Sequence, residues 1–187
     1  MPGAVPIPPI VLKPHELVAE RVLLPGDPGR ALRLATALID GPRMLNHHRG
    51  LWGYSGPAAD GEPLTIQSTG LGGPSAAAVV ADLLELGARR LVRVGTAAGL
   101  GGTALGSLVV ADAALADGAS RALGAGERVV ADAALAEALA RACAASRHGA
   151  SAGAVLGVTH ARGERLADDA LEPLEAALGA AAAAALS

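Results

Sequence analysis

Three glycine-bearing turns each follow an aliphatic run, and two of them place an arginine close by. The first is Pro25-Gly26-Asp27-Pro28-Gly29-Arg30. It offers bare backbone N–H groups at a helix N-terminus, where unsatisfied donors and the helix dipole favour an anion such as phosphate. Arg30 stands one turn into that helix; a capped turn with a surface arginine is the ordinary alternative. The second turn is Thr69-Gly70-Leu71-Gly72-Gly73-Pro74-Ser75. It approaches the dinucleotide fingerprint G-x-G-x-x-G, but Ser75 replaces the last glycine, and the next strand ends in Val94-Gly95-Thr96 instead of an acid. A nicotinamide-dependent oxidoreductase is therefore disfavoured. A small anion or a sugar can still approach this loop, and tight packing of helix on strand would use the same glycines. The third is Arg93-Val94-Gly95-Thr96, with Arg93 flanked by Val92 and Val94. A charge in an aliphatic strand is costly unless it is paired or lines a site. An edge-strand position or a salt bridge to Asp82 or Glu85 is the alternative, but the planar guanidinium fork matches phosphate oxygens.

The elements that must position these groups follow from the apolar pattern. Val22–Leu24 reads as a short strand, and Asp27 as the N-cap of a helix from about Pro28 to Ile39, with Pro28 at its first position. Leu51, Tyr54, Leu64 and Ile66 lie in strand-like runs around an Ala59-Asp60-Gly61 turn. Leu64–Thr69 forms a strand, Ser75–Leu86 a helix stopped by Gly87, and Leu91–Val94 the next strand. This strand–helix–strand crossover marks an α/β fold. Ser107–Ala113 and Ala154–Thr159 read as strands, Asp132–Ala145 as a helix, and Leu166 onward as helical. The expectation is one α/β domain over residues 1–187, with a mixed, mostly parallel sheet flanked by helices in a three-layer architecture. In such sheets ligands bind at the carboxyl ends of the strands.

Composition narrows the class. Of 187 residues, 51% are apolar, yet aromatic residues make up 1% and phenylalanine is absent, so the core must be Ala, Val, Leu and Ile. Such cores suit buried strands between helices. The net charge of −3 comes with no basic block, which argues against a nucleic-acid-binding surface but not against a local anion site. Cys143 is the single cysteine, so no intrachain disulfide can form. The first twenty residues hold five prolines and no basic region ahead of an apolar one, unlike a secretory signal. No stretch supplies the ~18 uninterrupted apolar residues of a membrane span. A soluble cytoplasmic protein is the expectation. His47 and His48 lack the spacing and carboxylate partners of a metal site, and no metal is expected.

The order of these motifs resembles the nucleoside phosphorylase family that includes bacterial uridine phosphorylase and hexameric purine nucleoside phosphorylase. The matching stretches are LPGDPGRA (24–31), NHHRGLWGYSG (46–56), STGLGGPSAAAVVADL (68–83) and LVRVGTAAG (91–99). The resemblance implies a phosphate site made by Gly26, Arg30, Arg93 and Thr96, joined by Arg49 from a neighbouring subunit. It also implies that a neighbour's His15 touches the ribose. Two residues supplied by a partner imply at least a homodimer, and the family usually forms hexamers. The implied reaction uses inorganic phosphate as co-substrate and no cofactor. Bound phosphate attacks the anomeric carbon as the glycosidic bond loosens, so catalysis is positioning and electrostatics.

Past about residue 120 the resemblance thins. Asp117-Gly118-Ala119-Ser120 and STGLGGPS lean towards the uridine branch, while NHHRGLWGYSG leans towards the purine branch. Glu164 and Arg165, in Gly163-Glu164-Arg165, echo the segment that reads uracil, and His160-Ala161-Arg162 stands where an aromatic residue stacks on the base. Leu174-Glu175-Ala176-Ala177 matches the ribose-binding motif, with Leu in place of Met, which makes Glu175 the candidate carboxylate on the sugar. The alternative for Glu175 is a solvated carboxylate on a surface helix. The chain stops where the family continues into a further strand and helix. The leading expectation is a uridine-type phosphorylase, with a purine-type enzyme next. A catalytically impaired binding or structural subunit and a hydrolytic nucleosidase are the competing readings; the latter has no use for Arg30, Arg49 and Arg93.

Overall fold

A computed structural model of the chain describes residues 9–99, 102–111, 113–115, 128–134, 137, 155–161 and 164–187. These residues fall into two compact units: one holds residues up to Val22 and Gly26–Leu91, the other Leu23–Pro25 and Val92–Ser187. Strand β1 (Arg21–Pro25) thus contributes its first two residues to one unit and its last three to the other.

In the first unit α1 (Pro28–Leu38) begins as its sequence dictates. Asp27 is in extended conformation, and its Oδ1 accepts the Arg30 N–H at 2.7 Å. That bond satisfies one of the donors a helix start leaves open. Ala31, Leu34 and Ala35 form the buried face, which packs on two strands of a meander. The meander comprises β2 (Arg43–Asn46), β3 (Gly53–Pro57) and β4 (Pro63–Gln67), all antiparallel, with neighbours in the order β1-β4-β3-β2. Arg21 fastens the β3–β4 turn with a two-pronged ion pair to Asp60 at 2.6 and 3.0 Å and a bond to the Glu62 carbonyl at 2.8 Å. Inside the sheet the cross-strand partners Ser55 and Thr65 join hydroxyls at 2.7 Å, and Thr65 also accepts the Ala19 N–H. Helix α2 (Gly73–Glu85) starts two residues earlier than expected, because Pro74 is well suited to a first helical turn. Gly72, at φ 85°, makes the entry that a side chain would resist.

In the second unit β5 (Arg90–Gly99) runs five residues past its expected end. The expected strand 107–113 divides into β6 (Leu108–Val110) and β7 (Ala113–Leu115); β7 pairs with β8 (Arg128–Val130) as a separate two-stranded sheet. Strand β9 (Val155–Ala161) lies parallel to β5 and antiparallel to β6 and to β10 (Glu164–Arg165), and neighbours run β1-β5-β9-β10. Helix α3 (Asp168–Leu186) packs on β9. Glycine at 157 permits this: a Cβ there would lie 2.7 Å from Leu174 Cδ2 and 3.1 Å from Leu178 Cδ1. The core is aliphatic, as the absence of phenylalanine requires, with Leu108, Leu174, Leu178, Ala182 and Leu186 buried.

The α/β class with a mixed sheet flanked by helices is as expected, but the balance of directions is different. Among pairings with a described register, only β5/β9 is parallel. Connections of a few residues between 43 and 67 allow antiparallel neighbours alone, whereas a crossover is needed for each parallel pair. Most of the expected helix 132–145, together with Asp117–Ser120, Cys143, Arg162 and Gly163, lies outside the described residues.

Candidate functional site

The first unit holds two groups of the expected residues. Gly26 and Arg30 occupy the turn and first turn of α1, both half-buried, with the Arg30 backbone fixed by Asp27. His15 and Arg49 form a second group. Asn46 ends β2, and a single 3₁₀ turn, His48–Gly50, follows it. Arg49 there adopts φ 58°, and among the described residues it alone, apart from glycine, has a positive φ. The left-handed conformation costs a non-glycine residue roughly 1–2 kcal/mol. Neighbouring bonds hold it: Gly50 N–H to the His47 carbonyl at 3.2 Å and Leu51 N–H to the His48 carbonyl at 3.1 Å. The side chain of Arg49 is exposed. The His15 ring stacks on that of His47, centroids 5.4 Å apart and planes 13° from parallel.

Buried amides organise this region. Asn46 Oδ1 accepts the Lys13 N–H at 2.8 Å, while its Nδ2 donates to the Leu51 carbonyl. Gln67 Nε2 donates to the same carbonyl at 3.0 Å and to that of Ser68 at 2.9 Å. Gly53 is required opposite, because a Cβ there would fall 1.9 Å from Gln67 Oε1. Neither Asn46 nor Gln67 nor His47 stood out in the sequence as a positioning group. The usable signal was a strand, RMLN, whose last two residues are buried and which ends in the amide that opens the N-H-H-R-G stretch. Electrostatically the turn is cationic. The His48 pKa is lowered from the usual histidine value, first by loss of water and then by the electrostatic influence of Lys13, Arg49 and His47.

In the second unit Arg93 is half-buried on β5. Its Nη1 donates to the Leu24 carbonyl at 2.6 Å and to the Val94 carbonyl at 2.8 Å. The guanidinium lies over Gly95: a Cβ at that glycine would stand 3.4 Å from both Cζ and Nη2. Charge in an aliphatic strand is thus compensated by main-chain oxygens, and glycine supplies the room. Thr96, three residues on, is exposed and pairs in register with Gly157. Glu175 follows Leu174 on α3 and is only 3% exposed. The solvated-surface alternative for it is therefore corrected: the α3 face that seats Leu174 and Leu178 against Gly157 takes Glu175 inside as well. Glu164 and Arg165 lie exposed on β10, and Arg165 pairs with Asp168 at 2.6 Å in the first turn of α3. A hollow of about 300 Å³ in the first unit, lined by Glu16, Leu17, Arg43, Ser55 and Pro63, contains none of the expected ligands. Among the described residues no helix is long and apolar enough to cross a membrane, and no three His, Cys, Asp or Glu side chains gather as a metal site would need.

Comparison with known proteins agrees with these motifs. The chain is 42% identical over 84 residues to a DeoD-type purine nucleoside phosphorylase of Clostridium perfringens, covering 44% of this chain and 35% of that protein. The equivalent protein of Oceanobacillus iheyensis is 38% identical over 104 residues, 55% of this chain and 42% of the relative. That of Lacticaseibacillus casei is 38% identical over 108 residues, 57% and 43% respectively. The aligned parts therefore span less than half the length of these curated relatives. The family described as the phosphorylase superfamily matches residues 20–184, from the start of β1 to the last turn of α3, and the chain belongs to that superfamily.

Proposed function

We propose that the chain is a nucleoside phosphorylase, cleaving the N-glycosidic bond of a nucleoside with inorganic phosphate to give free base and pentose 1-phosphate. The observation that carries this reading is the seating of Arg93. Two main-chain carbonyls fix one end of its guanidinium over a glycine, on the strand to which the resemblance to nucleoside phosphorylases assigns phosphate. Gly26, Arg30, Arg93 and Thr96 bind phosphate in this reading, and Arg49 reaches the site of a neighbouring subunit in a homodimer or larger assembly. An exposed arginine on a strained turn, two residues after the His47 on which the exposed His15 stacks, suits a role on a partner's substrate.

In the reaction a phosphate oxygen forms a bond to the anomeric carbon while the carbon–nitrogen bond breaks. The electron pair leaves with the base, which takes up a proton. The guanidiniums orient and desolvate the phosphate, and the positive charge developing on the sugar is balanced by the phosphate itself and by Glu175, which orients the ribose hydroxyls with His15. Glu164 and Arg165 stand nearest in sequence to the base-reading segment. The relatives' names favour a purine over the uridine expected from STGLGGPS.

The test is incubation with inosine, adenosine, uridine and thymidine, with and without phosphate, measuring free base and pentose 1-phosphate. Phosphate-dependent release is expected, and Arg93→Ala is expected to lower it by about a hundredfold or more, as loss of a preorganised charge at the reacting centre does. Release without phosphate makes the protein a nucleosidase. Binding without release makes it a non-catalytic subunit.

A further inference from the structure

We infer that Asp82 is a positioning residue that fastens the N-terminal strap, residues 10–15, so that His15 is presented on His47. The Asp82 carboxylate, 4% exposed on α2, accepts three consecutive backbone N–H groups: Ile10 at 2.9 Å, Val11 at 2.7 Å and Leu12 at 2.9 Å. The next donor, Lys13, goes to Asn46 Oδ1 at 2.8 Å. Pro14 has no N–H, and His15 donates to the Leu45 carbonyl at 2.8 Å. Every backbone donor from 10 to 15 is thus accounted for, and three of the five converge on one carboxylate. A strap of this kind is no strand with a ladder of its own; four of its five donors go to side chains and one to a main-chain carbonyl.

The consequence follows from sequence distance. Asp82 is remote along the chain from the strap, yet Leu12, which it holds and which is 2% exposed, lies three residues before His15. Losing that anchor leaves the backbone beside the His15 ring held by the His15 N–H on the Leu45 carbonyl and by the Lys13 N–H on Asn46. The stack on His47, next to the Arg49 turn, is then one of several positions in place of one. A carboxylate accepting three N–H groups is strongly favoured over an amide, whose NH₂ faces donors with a donor.

The effect on nucleoside rests on the phosphorylase reading, whereas the strap itself is tested without it. In Asp82→Asn, hydrogen exchange across residues 10–15 is expected to accelerate about ten- to hundredfold, the equivalent of losing bonds to a charged acceptor, with β2–β4 unchanged. The His15 ring resonances are expected to move as the stack loosens. Val11→Pro removes the shortest of the three bonds from the other side and is expected to do the same, which keeps the test open should Asp82→Asn fold poorly. In phosphorolysis, Asp82→Asn is expected to raise the nucleoside KM about tenfold with the phosphate KM unmoved, and to add nothing in a His15→Ala background. Unchanged exchange and unchanged His15 resonances overturn the inference. So does an Asp82→Asn effect on the nucleoside KM that persists in full without His15. A wild-type protein that releases no base refutes the functional reading, and the resonances and exchange still judge the strap.

Discussion

Replacing Gly157 by alanine adds one methyl group where β9 meets α3. The new carbon would lie 2.7 Å from Leu174 Cδ2, 2.9 Å from Leu174 Cγ and 3.1 Å from Leu178 Cδ1. Ordinary carbon–carbon contact begins near 3.5 Å, so the shortfall is most of an ångström. Leu174 and Leu178 are 6% and 0% exposed, and Cγ is a branch point that no terminal rotation moves aside. Helix α3 must shift, carrying Glu175. Overpacking of this kind costs about 1–3 kcal/mol, and with a urea m-value of about 1–3 kcal/mol per molar the midpoint should fall by roughly 1 M. Urea unfolding followed by circular dichroism measures this, with Gly102→Ala as control. An added Cβ at Gly102 meets nothing within 4 Å, so its unfolding free energy should stay within about 0.5 kcal/mol of wild type. If Gly157→Ala unfolds at the wild-type midpoint, the close approach of α3 to β9 is wrong, and with it the reason given for burying Glu175.

Arg49→Gly should separate stability from activity. Glycine accepts φ 58° freely, so a net gain of roughly 0.5–1 kcal/mol should remain after its extra unfolded-state freedom is set against the relieved strain. Turnover should drop about a hundredfold if the guanidinium serves phosphate; melting temperature and phosphorolysis on the same sample check both, and unimpaired turnover removes Arg49 from the site. The lowered pKa of His48 predicts a pH dependence. Between its depressed folded value and the unfolded value near 6.5, the unfolded chain binds more protons, so stability is full above about pH 6.5 and declines as pH falls through that window. Urea midpoints from pH 7.5 to pH 5 should show the decline, and His48→Gln should flatten it; an equal slope in the variant assigns the dependence elsewhere. If phosphate binds at this turn as proposed, adding it should protect in the same window.

Sequence alone determined the local parts, because their causes are local. Asp27 caps α1 since its carboxylate needs only the N–H three residues on, and Pro28 was a fitting first helical residue wherever the helix was to lie. The aliphatic runs gave β1 and β4 to within two residues and the start of β5 to within one, though not its end, and the motif order matches the superfamily to which the chain belongs. Arg93 was legible as anomalous, since a guanidinium between valines has to be compensated by something. What compensates it was not legible: the Leu24 carbonyl lies 69 residues away in sequence. Tertiary structure alone decided that Asp82 serves the strap 70 to 72 residues before it, and that Gly53 is needed because Gln67 reaches across from the partner strand. It likewise decided that Glu175 is inside, because burial on an alanine-rich helix depends on which face meets a strand, and a stretch of small residues offers several nearly equal faces. Caps and strands answer to neighbours in the chain. Buried charges and amides answer to partners that only folding brings near.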